Sequence, residues 1–371
     1  MMQPDGFRVI DGDGHVMEPD SMWGEYIDPA FRDRAPRRAR SDGQGWAQML
    51  VDGRPMYRHY PDELVAEFER RTLAEYGEYA ARGFDAPSQV KSLDDQGIEM
   101  SFLYPSLGLG TVAIDGMDPK LAAAISRSYN RWLADFCSHA PDRLKPVALL
   151  SLHDVGLAIG ELRYAVHTLG MRSVMLRPNM VSGRSVGHPD TAPFWAECAE
   201  LGVSVSFHEG CHTMLPAAGA DRFTTHFAMH SACHPMEQMM AFIALVDGGV
   251  MERHPDLRFG FMEAGCGWVP YLLWRMDDLE YRNWKFQIPG VKHRPSEYFR
   301  RQCWVSAEGC EPYLDKLAPD IGTDRLLFAS DYPHPDHEFG EELEDVLKSP
   351  LSDDVKRAIL WDNPAAFYGV V

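Results

Sequence analysis

The chain has 371 residues, 45% of them hydrophobic and 11% aromatic, which is enough apolar surface for a large core and the composition of a globular protein. Its 36 Lys and Arg stand against 55 Asp and Glu, and the net charge of -19 disfavours nucleic acid and anionic membranes as partners. The 7 cysteines are scattered without a CxxC pair, so they suggest neither a disulfide framework nor a thiolate zinc site and fit a reducing cytoplasm.

The opening residues, Met1 to Arg8, lack the cationic and apolar regions of a secretory signal, and no apolar run reaches the length of a membrane span. Strand-length apolar runs follow at Arg8 to Asp13, Met100 to Tyr104, Lys145 to Ser151, Ser173 to Leu176, Val203 to Phe207, Arg258 to Met262, Cys303 to Ser306 and Leu326 to Ser330. Helical patterns lie between them at Pro119 to Ala134, Ala192 to Leu201, Pro235 to Glu252 and Trp268 to Glu280, with a closing helix at Asp353 to Leu360. This alternation predicts a (β/α)₈ TIM barrel forming one domain over residues 1–371. Residues 19–91, after the first strand, form a long insertion with a predicted helix from Asp62 to Arg82 and the aromatics Trp23, Tyr26, Phe31, Trp46, Tyr57 and Tyr60. Its position predicts a lid or an oligomerisation arm.

Three of the predicted strands end in groups that bind metal: Asp13 and His15 after the first, His208 after the fifth and Asp331 after the eighth. The period of two puts Asp11, Asp13 and His15 on one face, with the small Gly12 and Gly14 between them. Taken singly, each has a plain structural alternative: a turn for Asp-x-His, a core histidine for His208 and a helix cap for Asp331. Together they favour a metal, because barrel strand ends converge on one mouth. Carboxylate and imidazole donors suit one divalent ion, with Zn expected first and Mn or Fe as the alternatives. Asp331 is also placed to accept or deliver a proton beside the ion.

On these residues the chain resembles the amidohydrolase superfamily, in the branch of aminocarboxymuconate semialdehyde and resorcylate decarboxylases. The likeness runs through Asp13-Gly14-His15, Gly170 to Pro178, His208, His234-Pro235-Met236-Glu237, Gly265 to Pro270 and Ser330 to His334. It implies that Asp13, His15, His208 and Asp331 hold one metal ion, and that the protein is a homodimer. Two positions depart from the pattern. Asp13 replaces the first His of the HxH pair, and Glu263 stands where the decarboxylases carry a catalytic His, so it takes over as acid/base or ligand or else the reaction differs. No Lys closes the fourth strand, which favours a mononuclear site.

Around that mouth Arg177 is a candidate clamp for a substrate carboxylate, with a salt bridge to a neighbouring acid as its alternative. Glu308 and His334 are candidate substrate-binding groups, and Glu18 is expected to be solvated. His212, His226, His230 and His234 are expected mostly on an exposed loop and helix start, although His230 and His234 share i, i+4 spacing. Trp268 and Trp304, with the inserted aromatics, suggest an aromatic substrate pocket or ordinary barrel packing. The expected activity is non-oxidative decarboxylation of a small carboxylated molecule, aromatic or not, with Asp331, Glu263 and His208 in catalysis. Metal-dependent hydrolysis of an ester, lactone, amide or C–C bond and a catalytically degenerate binding barrel are the alternatives.

Overall fold

A computed structural model describes residues 6–40, 47–58, 61–336 and 338–370. Among them, β1 (Ile10–Val16), β2 (Met100–Pro105), β3 (Leu144–Leu149), β4 (Ser173–Leu176), β5 (Ser204–Phe207), β6 (Arg258–Phe261), β7 (Cys303–Ala307) and β8 (Leu326–Phe328) pair in chain order as one parallel sheet. These are the eight expected strands. The sheet curls into a barrel whose closure is made by backbone rather than by a full ladder. The Asp331 N–H donates to the Asp13 carbonyl at 3.0 Å and the His15 N–H to the Tyr332 carbonyl at 2.7 Å.

Strand β1 runs on through Val16, so Asp13 and His15 lie inside it rather than beyond its end. Its register on β2 shifts between Asp11 and Gly14. A Cβ on Gly14 would lie 2.3 Å from Ser101 Oγ and 2.4 Å from Asp11 Oδ2, so only glycine fits there. Asp11 shares their face in the pattern, yet it accepts from Ser101 Oγ at 2.6 Å and from the N–H and Oγ of Ser330 at 3.0 and 2.9 Å. It ties β1 to its two neighbours and is no ligand.

Helices cover the barrel by burying one stripe each. In the helix Pro119–Cys137, Asp118 caps the Lys120 N–H, proline sits in the first turn, and Leu121, Ile125, Tyr129 and Leu133 face inward. Phe207, Phe259 and Phe261 stack along neighbouring strands under Trp195, and each such burial contributes about 1.5–3 kcal/mol. Trp268 and Trp304 are buried against Phe261 and Phe367, so barrel packing explains them.

Three expectations need correction. The insertion contains, besides its helix Asp62–Ala81 (α1), an antiparallel sheet of Arg37–Arg40, Ala47–Val51 and Arg54–Pro55 that short, charged strands concealed. The helix expected to open at Pro235 starts nine residues earlier, at His226, and ends at Asp247 (α2), carrying Pro235 in its interior. The closing helix continues as Ala358–Asp362 and Asn363–Tyr368. Trp46 and Tyr60 lie outside the described residues. No helix among the described residues is long and apolar enough to cross a membrane.

Candidate metal centre and its cavity

Strand geometry fixes the first ligands. His15 is fully buried, and its Nδ1 lies 3.0 Å from the Pro105 carbonyl. His208 directly follows β5, with Nδ1 2.7 Å from the Glu209 carbonyl. Each Nδ1–H donates to a carbonyl, which leaves the Nε2 lone pair aimed into the barrel mouth. Asp13 Oδ1 lies 3.8 Å from His15 Nε2 and 3.5 Å from His208 Nε2. Asp331 Oδ1 lies 3.3 Å from His15 Nε2, and Glu263 Oε2 lies 2.9 Å from His208 Nε2.

Asp13 Oδ1, His15 Nε2, His208 Nε2 and Glu263 Oε2 are buried and make no hydrogen bond. Leaving four such atoms unmet at one point is costly, and a cation meets all of them. The donor separations also fit, since ligands at about 2.1 Å around one ion stand about 3.0–3.4 Å apart in octahedral or tetrahedral arrangement. The structure thus brings Asp13, His15, His208 and Asp331 to one point, together with Glu263, the residue expected as acid/base or ligand.

Asp331 and Glu263 both adopt left-handed backbone, at φ 53° and 52°. That conformation is uncommon outside glycine and costs energy, so the surrounding bonds must hold it. The Glu263 N–H donates to Ser306 Oγ at 2.9 Å, and the His334 N–H donates to the Asp331 carbonyl at 2.9 Å. These turns are what direct the two carboxylates inward. Burial favours the neutral form of each, but His334 and His15 keep Asp331 well below the usual carboxylate range. His208 and His234 likewise hold Glu263 at about 2 against burial. Both are ionised and ready to ligate.

His334 donates through one ring nitrogen and meets Ser106 with the other: Nδ1 is 2.7 Å from Asp331 Oδ1 and Nε2 is 2.8 Å from Ser106 Oγ. Its ring stacks on His15 at 4.0 Å between centroids. Burial lowers its affinity for a proton, but Asp331 outweighs burial and carries the ring to about 9. A proton therefore rests beside the ligand set at neutral pH.

A cavity of about 510 Å³ opens over this centre, lined by Met17, Phe68, Leu73, Leu107 and Leu109 together with Glu263, His334, Arg38 and Tyr57. Helix α1 supplies one wall through Val65, Phe68, Glu69, Thr72 and Leu73. A cleft of about 610 Å³ between Ile243, Tyr281 and Trp284 carries none of the ligands.

Other expected residues are placed differently. Arg177 is buried, with Nη2 2.9 Å from Glu209 Oε1 and 3.0 Å from the Gly210 carbonyl, so it makes the salt bridge that was its alternative. Glu308 follows β7 half-buried, its N–H on Glu311 Oε2 at 3.2 Å, and does not line the cavity. Glu18 is buried rather than solvated, accepting from the N–H groups of Leu107 and Gly108 at 2.9 and 2.8 Å. The histidines expected mostly on an exposed loop and helix start instead form a ladder that runs from His212 on the loop after β5 along α2. His212 and His234 are buried, and successive ring centroids from His212 through His226 and His230 to His234 lie 5.4, 5.1 and 4.1 Å apart. The signal for it was the i, i+4 spacing continued back to His226, hidden by the misplaced helix start. Ser106 had no sequence signal, because only the fold carries it to His334.

A family model described as amidohydrolase matches residues 10–370. Gamma-resorcylate decarboxylase of Rhizobium radiobacter is 29% identical over 266 residues, covering 66% of this chain and 76% of that protein. An amidohydrolase from Mycobacterium avium subsp. paratuberculosis K-10 superposes with a TM-score of 0.79 at 24% identity, over 99% of both chains. A dihydroxybenzoic acid decarboxylase from Polaromonas sp. JS666, solved with bound manganese and 2-nitroresorcinol, gives 0.69 at 19% identity over 98% of this chain and 97% of that one. The two structures attest the shared fold, and the match of the family model along nearly the whole barrel means that this chain belongs to the amidohydrolase family.

Proposed function

We propose that this protein is a metal-dependent carboxy-lyase that removes the carboxyl group of a small, conjugated acid of the hydroxybenzoate kind. The observation that carries the reading is the pairing of unmet ligand atoms on Asp13, His15, His208 and Glu263 with His334 hydrogen-bonded to Asp331, all under a cavity with apolar walls. The name of the Rhizobium radiobacter relative supports the reaction class.

Asp13, His15, His208 and Asp331 would hold the ion, with Glu263 as a further ligand or as acid/base. The three carboxylates in this set suit Mn as well as Zn or Fe, and manganese in the Polaromonas structure supports Mn first. When bound, the ion polarises substrate oxygens as a Lewis acid. The chain's own residues supply the rest. His334 and Asp331 deliver a proton to the carboxyl-bearing carbon; the C–C bond then breaks, its electron pair restores the conjugated system and carbon dioxide leaves. Apolar walls from Leu107, Leu109 and Phe68 keep water from the reacting carbon, and α1 acts as a lid. Arg177 has no part in substrate binding here because Glu209 already occupies it. The reading extends to a cytoplasmic homodimer, for which the exposed Tyr271, Trp274, Trp284 and Phe286 offer an apolar face.

The test is a panel of hydroxybenzoates and muconate-like acids given to Mn-loaded protein in oxygen-labelled water. Carbon dioxide release without label in the organic product is expected. Label in the product would select hydrolysis, and inertness toward both acid and ester panels at full metal occupancy would leave a binding protein.

A further inference from the structure

At the rim of the same cavity stands a second group of ligating side chains that this chemistry leaves unused. The loop after β5 carries Cys211 and His212, and α2 carries His226 in its first turn and Cys233 seven residues on, on the same helix face. His212 Nε2 lies 3.3 Å from His226 Nδ1, with the two rings 15° from parallel. One donor atom from each of Cys211, His212 and His226 lies within 4.8 Å of the others. The Cys211 thiol is within hydrogen-bonding reach of Cys233 and of both rings.

We propose that Cys211, His212 and His226 form a second metal site that takes one zinc-class ion at the cavity rim and keeps a fourth position open. One thiolate and two imidazoles are zinc donors, and three protein ligands with an open fourth position is a tetrahedral zinc arrangement. Two nitrogens each about 2.05 Å from a tetrahedral ion stand about 3.3 Å apart, which is the His212–His226 separation. Thiolate donors select zinc or cuprous ions over manganese, whereas the oxygen-rich centre below does not, so the two sites sort metals by softness. They are also distinct sets: Asp13, His15 and His208 gather at one point, and Cys211, His212 and His226 at another.

The rim site would join three segments. The His212 carbonyl accepts from the Arg58 N–H at 2.6 Å, Thr213 bridges to Tyr57, and Phe68 of α1 meets the His226 ring edge-on at 5.4 Å. An ion there fixes the β5 loop and the start of α2 against the insertion that walls the cavity.

The test titrates cobalt(II) into reduced, Mn-loaded, full-length protein, with absorbance as the readout rather than turnover. A thiolate-to-cobalt charge-transfer band that saturates at one equivalent and is quenched by one equivalent of zinc is expected. The band should be lost in Cys211→Ser and weakened in His226→Ala, and should persist in His208→Ala, where the lower centre is broken. No band in the reduced wild-type protein overturns the proposal whatever the variants do. So does a band that survives Cys211→Ser, or a Cys211–Cys233 disulfide that forms in preference to the metal complex.

Discussion

The base and the rim of one cavity use different materials. At the base the ligands stand on or immediately after strands of a hydrogen-bonded barrel, and their donors are oxygen and nitrogen. At the rim they stand on a loop and a helix start, and the donors are sulfur and nitrogen. The sheet fixes His15 and His208 to within the tolerance of a backbone hydrogen bond, as bond-breaking chemistry demands. The rim groups are held mainly to one another and to the insertion, which suits fastening a wall. Position on the scaffold, as much as residue type, separates a catalytic centre from a structural clasp.

Removing metal separates the two regions most sharply. Stripping the Mn-loaded enzyme with a chelator should abolish carbon dioxide release, with Mn alone restoring it; recovery that instead requires zinc would make zinc the catalytic ion. Next in size, Asp331→Asn should lower kcat on the order of 10³-fold while leaving the rim cobalt band intact. Steady-state kinetics beside the cobalt titration reads both. His334→Asn should cost about 10–100-fold in kcat, since it removes the proton store and the partner that orients Asp331, and an unchanged kcat would remove His334 from the mechanism.

The smallest expected effect is on stability. Burial lifts Glu18 from 4.5 to about 7, although backbone N–H donors oppose the shift. The native state therefore binds a proton that the unfolded chain has already released, and Glu18 makes stability fall as pH rises from 4.5 through about 7. Glu18→Gln should flatten that slope in melting temperature measured against pH, and a slope identical to wild type would place the linkage elsewhere.

The barrel was legible because each strand is a local pattern: short apolar runs ending at Asp13-Gly14-His15, His208 and Asp331 need no distant information. Glu263 was visible as a departure, but its aim at His208 depends on a left-handed turn pinned by Ser306 of the next strand. The insertion sheet was missed because its strands carry Arg37, Arg38 and Arg54 rather than alternating apolar residues. The start of α2 was misplaced because proline opens helices more readily than it sits inside them, and with it went the ladder of His226, His230 and His234. The same error made the cysteines look scattered. Cys211 and Cys233 are distant in sequence and meet only when α2 folds back on the β5 loop.

By itself, then, the sequence determined the barrel and its eight strands and marked Asp13, His15, His208 and Asp331 as candidate ligands, since periodicity and strand-end chemistry are properties of neighbouring residues. Tertiary structure alone decided that Arg177 would be taken by Glu209, that Ser106 would meet His334, and that Cys211 would face His212 and His226 across the rim. Those contacts join residues from separate strands, loops and helices, and ring closure and loop conformation set them rather than any local pattern.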